Sequence, residues 1–225
     1  MSAVTLGSAA EIVVQRTQGD VTVRQGMTEV WNRAAVGEAL RPDDTMKTGS
    51  KSSATIIVTG HRGDGATKRI TLPPEVIVDM SDVRELTPEE LMLKLAMERV
   101  RSAPYEWKTN DLNIPNVSVV HGTDKEVDTA PVENALATGI LQINGTQVLF
   151  ENGFYSTCAL KAMEVFRLYP PLGNRFENRL MVAESLERAQ LKGEALTEYG
   201  VALRLSGITA AQENLVRSRM AQLRK

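Results

Sequence analysis

The sequence predicts an α+β protein, all-β in its front part and helical behind, on three observations. Over residues 11–83 apolar and polar side chains alternate in short runs, broken by glycine, proline and aspartate. From Thr87 onward apolar residues recur every three or four positions, the period of a helix with one buried face. Between these grammars lies GTDKEVDTAP, a polar, turn-rich stretch. The expected organisation is therefore a β domain over residues 1–122 with an attached helix, a linker over 123–131 and a helical domain over 132–225.

In the front part Val21 and Val23 alternate with Thr22 and Arg24 after the Gly19-Asp20 turn, and Gly26 closes the run. Residues 28–35, with Val30, read as a returning strand. Turn chemistry over 37–44 precedes a strand over 45–49, and the β-branched run 54–59 has the composition of a strand packed on both faces. Ile70-Thr71-Leu72 and Val76-Ile77-Val78 follow, kept apart by Pro73-Pro74, which no central strand could hold. Roughly six or seven short strands at this spacing fit a small sandwich or barrel.

Thr87-Pro88-Glu89-Glu90 is a helix start: threonine as N-cap, proline at the first helical position and glutamate at the third, a capping box. The helix runs over 87–101 with Leu93, Met97 and Val100 on one stripe and Met92, Leu95 and Ala96 beside it. It is expected to dock on an open face or edge of the sheet, with Tyr105 and Trp107 sealing the seam and residues 116–120 adding a last strand. Behind the linker, residues 156–168 carry Ala159, Ala162, Val165 and Phe166 at helical spacing and stop at Tyr169-Pro170-Pro171. Residues 174–191 place Leu180, Ala183 and Leu186 on successive turns. Ala195, Tyr199, Ala202 and Leu203 form another stripe, and residues 209–223 a last helix with Leu215, Val216 and Met220. Paired helices joined by short turns are the grammar of a helical-repeat array.

Composition excludes several function classes. The 26 basic and 28 acidic side chains leave a formal charge of −2, so neither nucleic acid nor an anionic membrane is indicated as the main partner. One cysteine, Cys158, allows no intramolecular disulfide and no cysteine zinc cage, and His61 and His121 are too few for a histidine-rich metal site. Aromatic residues are 4% of the chain, which leaves few rings for stacking sugars or bases. No apolar run reaches the roughly eighteen residues of a membrane-spanning helix. The first residues lack the basic and apolar regions of an export signal, which fits either a cytoplasmic protein or a mature chain without its leader.

Candidate chemistry is thin. Residues 63–68 hold glycines near a lysine, but not at P-loop spacing and with no helical pattern following, so a hairpin tip is the better reading; the same holds for the Arg62-Gly63-Asp64 triplet. Cys158, with His61 or His121 as base, is the only candidate nucleophile, and its neighbours Ala159, Leu160 and Ala162 mark a core-facing helix. Asp43/Asp44 and Glu89/Glu90 have structural roles in a turn and a cap. Asp79 and Asp82 fall short of the six to eight oxygens that calcium takes, roughly counted. The basic residues Arg204, Arg217, Arg219, Arg224 and Lys225 read as the solvated end of a last helix. The expectation is a non-enzymatic protein with no cofactor and no metal.

Two family resemblances sharpen this. Residues 20–24 (DVTVR), 36–40 (VGEAL), 44–49 (DTMKTG), 53–57 (SATII) and 70–72 (ITL), in series, resemble the FecR-like domain over residues 11–83. Ala183, Leu186, Ala195, Tyr199 and Ala202 match the small/large spacing of a tetratricopeptide repeat, and residues 156–170 resemble the second helix of a preceding unit. The resemblances imply a scaffold of the bacterial periplasm or cell envelope that binds a protein or peptide; a cytoplasmic placement is the alternative. Arg175, Asn178, Arg179 and Glu198 are the polar residues expected to line its groove. Two other readings stay open: a module for peptidoglycan or another cell-wall glycan, and a regulator of sigma-factor signalling, which in that family carries a membrane helix. A cysteine-dependent enzyme is the most distant.

Overall fold

Alternation in the front part buries one face of each strand. In the computed structural model, which describes residues 11–60, 66–102 and 132–225, β1 (Glu11–Gln18) turns Ile12 and Val14 inward. It pairs antiparallel with β6 (Ser53–Thr59) on one side and β4 (Ala39–Leu40) on the other, and β6 pairs with β7 (Thr67–Leu72). The second sheet is antiparallel too, in the order β3-β2-β5-β8, from β2 (Val21–Arg24), β3 (Trp31–Arg33), β5 (Thr45–Thr48) and β8 (Ile77–Asp79). Ala54, Ile56, Val58, Ile70 and Leu72 of the first sheet are buried with Val21, Val23, Met46 and Val78 of the second. The two sheets remain separate and close no barrel.

The returning strand expected over 28–35 contracts to β3. Residues before it are spent on a turn in which Thr28 donates from both N and Oγ1 to the Gln25 carbonyl, and Val30 is left 62% exposed. Asp44 has the turn role foreseen for it: its carboxylate accepts from the amides of Arg41 at 2.8 Å and Gly26 at 3.2 Å.

A 3-10 turn (Met80–Asp82) leads out of β8 towards α1 (Pro88–Ser102). Only half of the expected capping box forms. Thr87 Oγ1 accepts from the Glu90 amide at 3.2 Å, but the Glu90 carboxylate turns to the Arg84 guanidinium instead of the cap. The buried face of α1 also differs from expectation. Leu91, Leu95 and Glu98 face inward, whereas Leu93 is 63% and Val100 77% exposed. Both sets are spaced i, i+4, i+7, so either stripe satisfies helical periodicity. The partner is different as well: α1 packs chiefly on α3 (Tyr155–Leu168), not on its own sheet.

Among the described residues the rest of the chain is helical: α2 (Val132–Glu151), α3, the short α4 (Pro170–Gly173), α5 (Phe176–Arg188), α6 (Lys192–Ala202) and α7 (Ala210–Leu223). The expected core positions Ala159, Ala162, Val165, Phe166, Ala183, Leu186, Ala195, Tyr199 and Ala202 are all buried. On α7 Val216 is buried, but Leu215 points outward. Elements not foreseen individually are β1, β4, the short α4 and α2, the last of which lies along β7 and β8, the two edge strands on one side of the sandwich. An open edge invites pairing with other chains, and a covering helix removes that liability. The approach is close enough to need glycine: a Cβ on Gly145 would lie 2.0 Å from the Ile77 carbonyl oxygen. Asn144 Nδ2 donates to the Glu75 carbonyl at 2.9 Å along the same seam, and the hydrophobic core runs on from the sheets into the helices. The expected linker 123–131, the expected strand over 116–120, Tyr105, Trp107 and both histidines lie outside the described residues, as does the loop with Arg62-Gly63-Asp64.

Candidate functional site

Docking α1 on the helical part creates a cleft of about 510 Å³, walled by α1, α3, α5 and α6 and by Pro170 at the start of α4. Met163 and Phe166 of α3 form its apolar floor, and Glu98, Arg99, Arg167, Arg179 and Glu198 stand around it.

These charges are already paired across elements. Arg167 Nε donates to Glu98 Oε1, linking α3 to α1. Arg179 Nη1 lies 3.1 Å from Glu198 Oε2, linking α5 to α6, and Arg99 Nη2 lies 3.7 Å from Glu194, linking α1 to α6. The Glu98 side chain is only 6% exposed, and the bond from Arg167, with Arg101 farther off at 3.7 Å, makes its burial tolerable. Arg179 has two further tasks. Its Nε donates to the Gly173 carbonyl at 2.7 Å, and its guanidinium stacks over the Phe166 ring at 4.5 Å. A Cβ at Gly173 would stand 3.0 Å from that guanidinium and 3.1 Å from Phe166, so a larger residue at the corner between α4 and α5 would push on both side chains.

The four residues expected in the groove are thus placed differently. Arg179 and Glu198 line the cleft as one ion pair. Asn178 donates from Nδ2 to the Leu172 carbonyl at 2.8 Å, which ties the start of α5 to α4. Arg175 sits exposed just before α5 and is no part of the cleft wall. Sequence reasoning missed Glu98, Arg99 and Arg167. A signal existed for Glu98, which continues the Leu91-Leu95 stripe as a charged residue in a buried register, but nothing local pointed to its partner 69 residues away.

The other candidates are built into the framework. Cys158 is fully buried, receives a hydrogen bond from Ser185 Oγ at 3.3 Å, and has its thiol pushed up to about 12 by burial. A thiol held neutral in this way is a packing group, since the thiolate is the nucleophile. Tyr199, the large residue of the repeat-like spacing, is buried and donates from its hydroxyl to Glu187 Oε2 at 2.7 Å; burial and that carboxylate both raise its pKa. Asp79, considered for calcium, accepts instead from the Lys161 ammonium at 2.7 Å. Of the basic residues near the end of the chain, Arg217 pairs with Glu213 at 2.7 Å and Arg219 with Glu184 at 3.8 Å. Among the described residues no helix is long and apolar enough to cross a membrane, and no group of three or more histidine, cysteine or acidic side chains is arranged to hold a metal ion.

Compared with protein-family models, curated proteins and solved structures, the chain matches none.

Proposed function

We propose that the protein is a non-enzymatic binding module whose cleft between α1 and helices α3 to α6 holds a short segment of a protein partner. One observation carries this reading: the cleft has an apolar floor, Met163 and Phe166, inside a rim whose charges already neutralise one another in pairs. Such a site gains by burying an apolar side chain and asks for no counter-charge, which suits a peptide anchor better than an ionic small molecule. The FecR-like and tetratricopeptide resemblances agree with a scaffold role, and the envelope placement follows from them alone. The glycan alternative has less to work with. Among the described residues Trp31 is the one exposed ring, and Arg24 and Lys47 already lie 5.5 and 5.8 Å from its centroid.

The test is selection from a random peptide library followed by comparison of wild type with Met163→Arg, which puts a charge on the floor at a residue that is only partly buried, with a thermal melt to show that the variant folds. Peptides that contact the cleft lose at least about tenfold in affinity on Met163→Arg, as expected when a central anchor loses its pocket, and shift amide resonances of α1, α3 and α5 on binding. Peptides indifferent to that variant, or a library yielding none, would refute the reading.

A further inference from the structure

The segment between β8 and α1 is stitched to α3 almost residue by residue. Thr157 Oγ1 donates to the Arg84 carbonyl at 3.2 Å; the Leu86 amide donates to Ser156 Oγ at 3.0 Å, and that hydroxyl in turn donates to Glu85 at 2.9 Å. On the sandwich side the Met80 amide donates to the Asp44 carbonyl at 2.9 Å. Lys161 of α3 reaches across to Asp79 and also pairs with Glu164 at 3.1 Å, while Asp79 accepts a second bond from Thr45 Oγ1 at 2.6 Å. The groups just named along this seam each have a partner. Asp82, in the middle of this seat, does not: its Oδ2 is buried with no hydrogen-bond partner, although the residue as a whole keeps part of its surface.

The charges facing Asp82 explain why this matters. Asp79 of β8 and Glu164 of α3 are carboxylates, Lys161 of α3 is a half-buried ammonium beside them, and Lys94 of α1 adds a weaker positive field. Lys161 gives its hydrogen bonds to Asp79 and Glu164 and reaches Asp82 only through its charge. Burial would raise the Asp79 carboxyl, but the charge and hydrogen bond of Lys161, with Thr45 and Arg24 behind, hold it below its ordinary value. Burial would likewise depress Lys161, but the carboxylates around it, Asp82 first and then Asp79 and Glu164, outweigh that and raise it. An ionised Asp82 would be a third carboxylate around one committed ammonium, with an oxygen that neither protein nor solvent satisfies.

We propose that Asp82 is a proton-operated catch: neutral, it lets residues 80–86 stay seated on α3; ionised, it must reach water, which unseats that segment and loosens α1, the wall of the cleft. The inference concerns the position of α1 and stands whether or not the cleft takes a peptide. Burial, opposed by Lys161 and reinforced by Asp79 and Glu164, pushes the Asp82 carboxyl up to about 7 from 3.8, within the range where modest acidification changes its charge. In the seated state the proton is kept up to about pH 7, whereas an open state titrates near 3.8, so opening becomes easier as pH rises through that window and levels off above it. Asp79 works the other way. Its lowered pKa gives stability that is present above 3.8 and lost only on further acidification, so the two windows do not overlap.

The experiment is amide hydrogen exchange over residues 80–95 between pH 5 and 8, corrected for the intrinsic exchange rate, on wild type, Asp82→Asn and Asp79→Asn. The linkage makes opening of wild type rise at least about tenfold from pH 5 to 7 and then flatten. Asp82→Asn, always neutral and of the same shape, stays protected throughout. Asp79→Asn frees Lys161 for Asp82 and moves the rise to lower pH. A wild type without the rise, an Asp82→Asn protein that keeps it, an Asp82→Asn protein less protected than wild type at every pH, or an Asp79→Asn protein whose rise does not move would each overturn the proposal.

Discussion

Adding one methyl group at Gly145 tests the seam between α2 and the sandwich, on which the relation of the two halves depends. In an unconstrained helix Gly→Ala is favourable by about 1 kcal/mol, because alanine loses less backbone entropy on folding. Here the new Cβ would stand 2.0 Å from the Ile77 carbonyl oxygen, 3.0 Å from its carbon and 3.2 Å from Val78 Cγ2. The first two of those atoms are backbone, so no rotamer change relieves the clash. Helix α2 must move away from β8 by more than 1 Å, on the order of the overlap in an ordinary carbon–oxygen contact. That movement also disturbs the Asn144 bond to Glu75 and the packing of Ile143 and Val148, both buried. Overpacking of this kind costs about 1–3 kcal/mol, and more when backbone must shift. Because the clash is with backbone, the cost lies at the upper end of that range, and we expect Gly145→Ala to lower unfolding free energy by about 2 kcal/mol in a urea titration once the gain of about 1 kcal/mol in helix propensity is subtracted. Gly200→Ala on α6 is the control: the nearest atom to its Cβ is Arg204 Nη1 at 3.8 Å, so it should gain up to about 1 kcal/mol. A Gly145→Ala protein as stable as wild type, or more so, would mean that α2 does not lie on β8 as described.

Two other outcomes check the cleft and the core. Arg167→Met strands the Glu98 carboxylate, with Arg101 at 3.7 Å as its remaining partner, and should cost about 2–3 kcal/mol; the double variant with Glu98→Gln should recover much of that loss, and thermal melts of the set decide it. Cys158, with its thiol raised to about 12, should resist iodoacetamide in the native protein at pH 8 and be alkylated only at the rate of unfolding, so rapid native labelling would show an accessible thiolate.

Much of the framework was readable before any coordinates. The alternation at Val21 and Val23 and the apolar run Ile70-Thr71-Leu72 marked strands whose inner residues are buried, whereas the run 54–59, expected to pack on both faces, buries only Ala54, Ile56 and Val58 on one. The small/large spacing of Ala183, Leu186, Ala195, Tyr199 and Ala202 marked a helix pair, and all five are buried. The candidate cleft is legible in the sequence only in part. Arg179 and Glu198 lie in the cleft, but Asn178 is held by the Leu172 carbonyl, and nothing in a local pattern separates a polar side chain that caps a backbone group from one that meets a ligand.

What the chain determined by itself is the kind of each element and, for most, its inward face, because periods of 2 and about 3.6 residues are properties of neighbours along the backbone. Tertiary structure decided the rest. Helix α1 carries two apolar stripes of equal spacing, and the choice of Leu91 and Leu95 over Leu93 and Val100 came with the Glu98–Arg167 pair. The orphaned Asp82 oxygen and the capture of Asp79 by Lys161, 82 residues away, likewise exist only once the turn after β8 lies on α3. Burial turns a charge from a solvated group into one that must find a partner, and which partner is within reach is set by how distant elements pack.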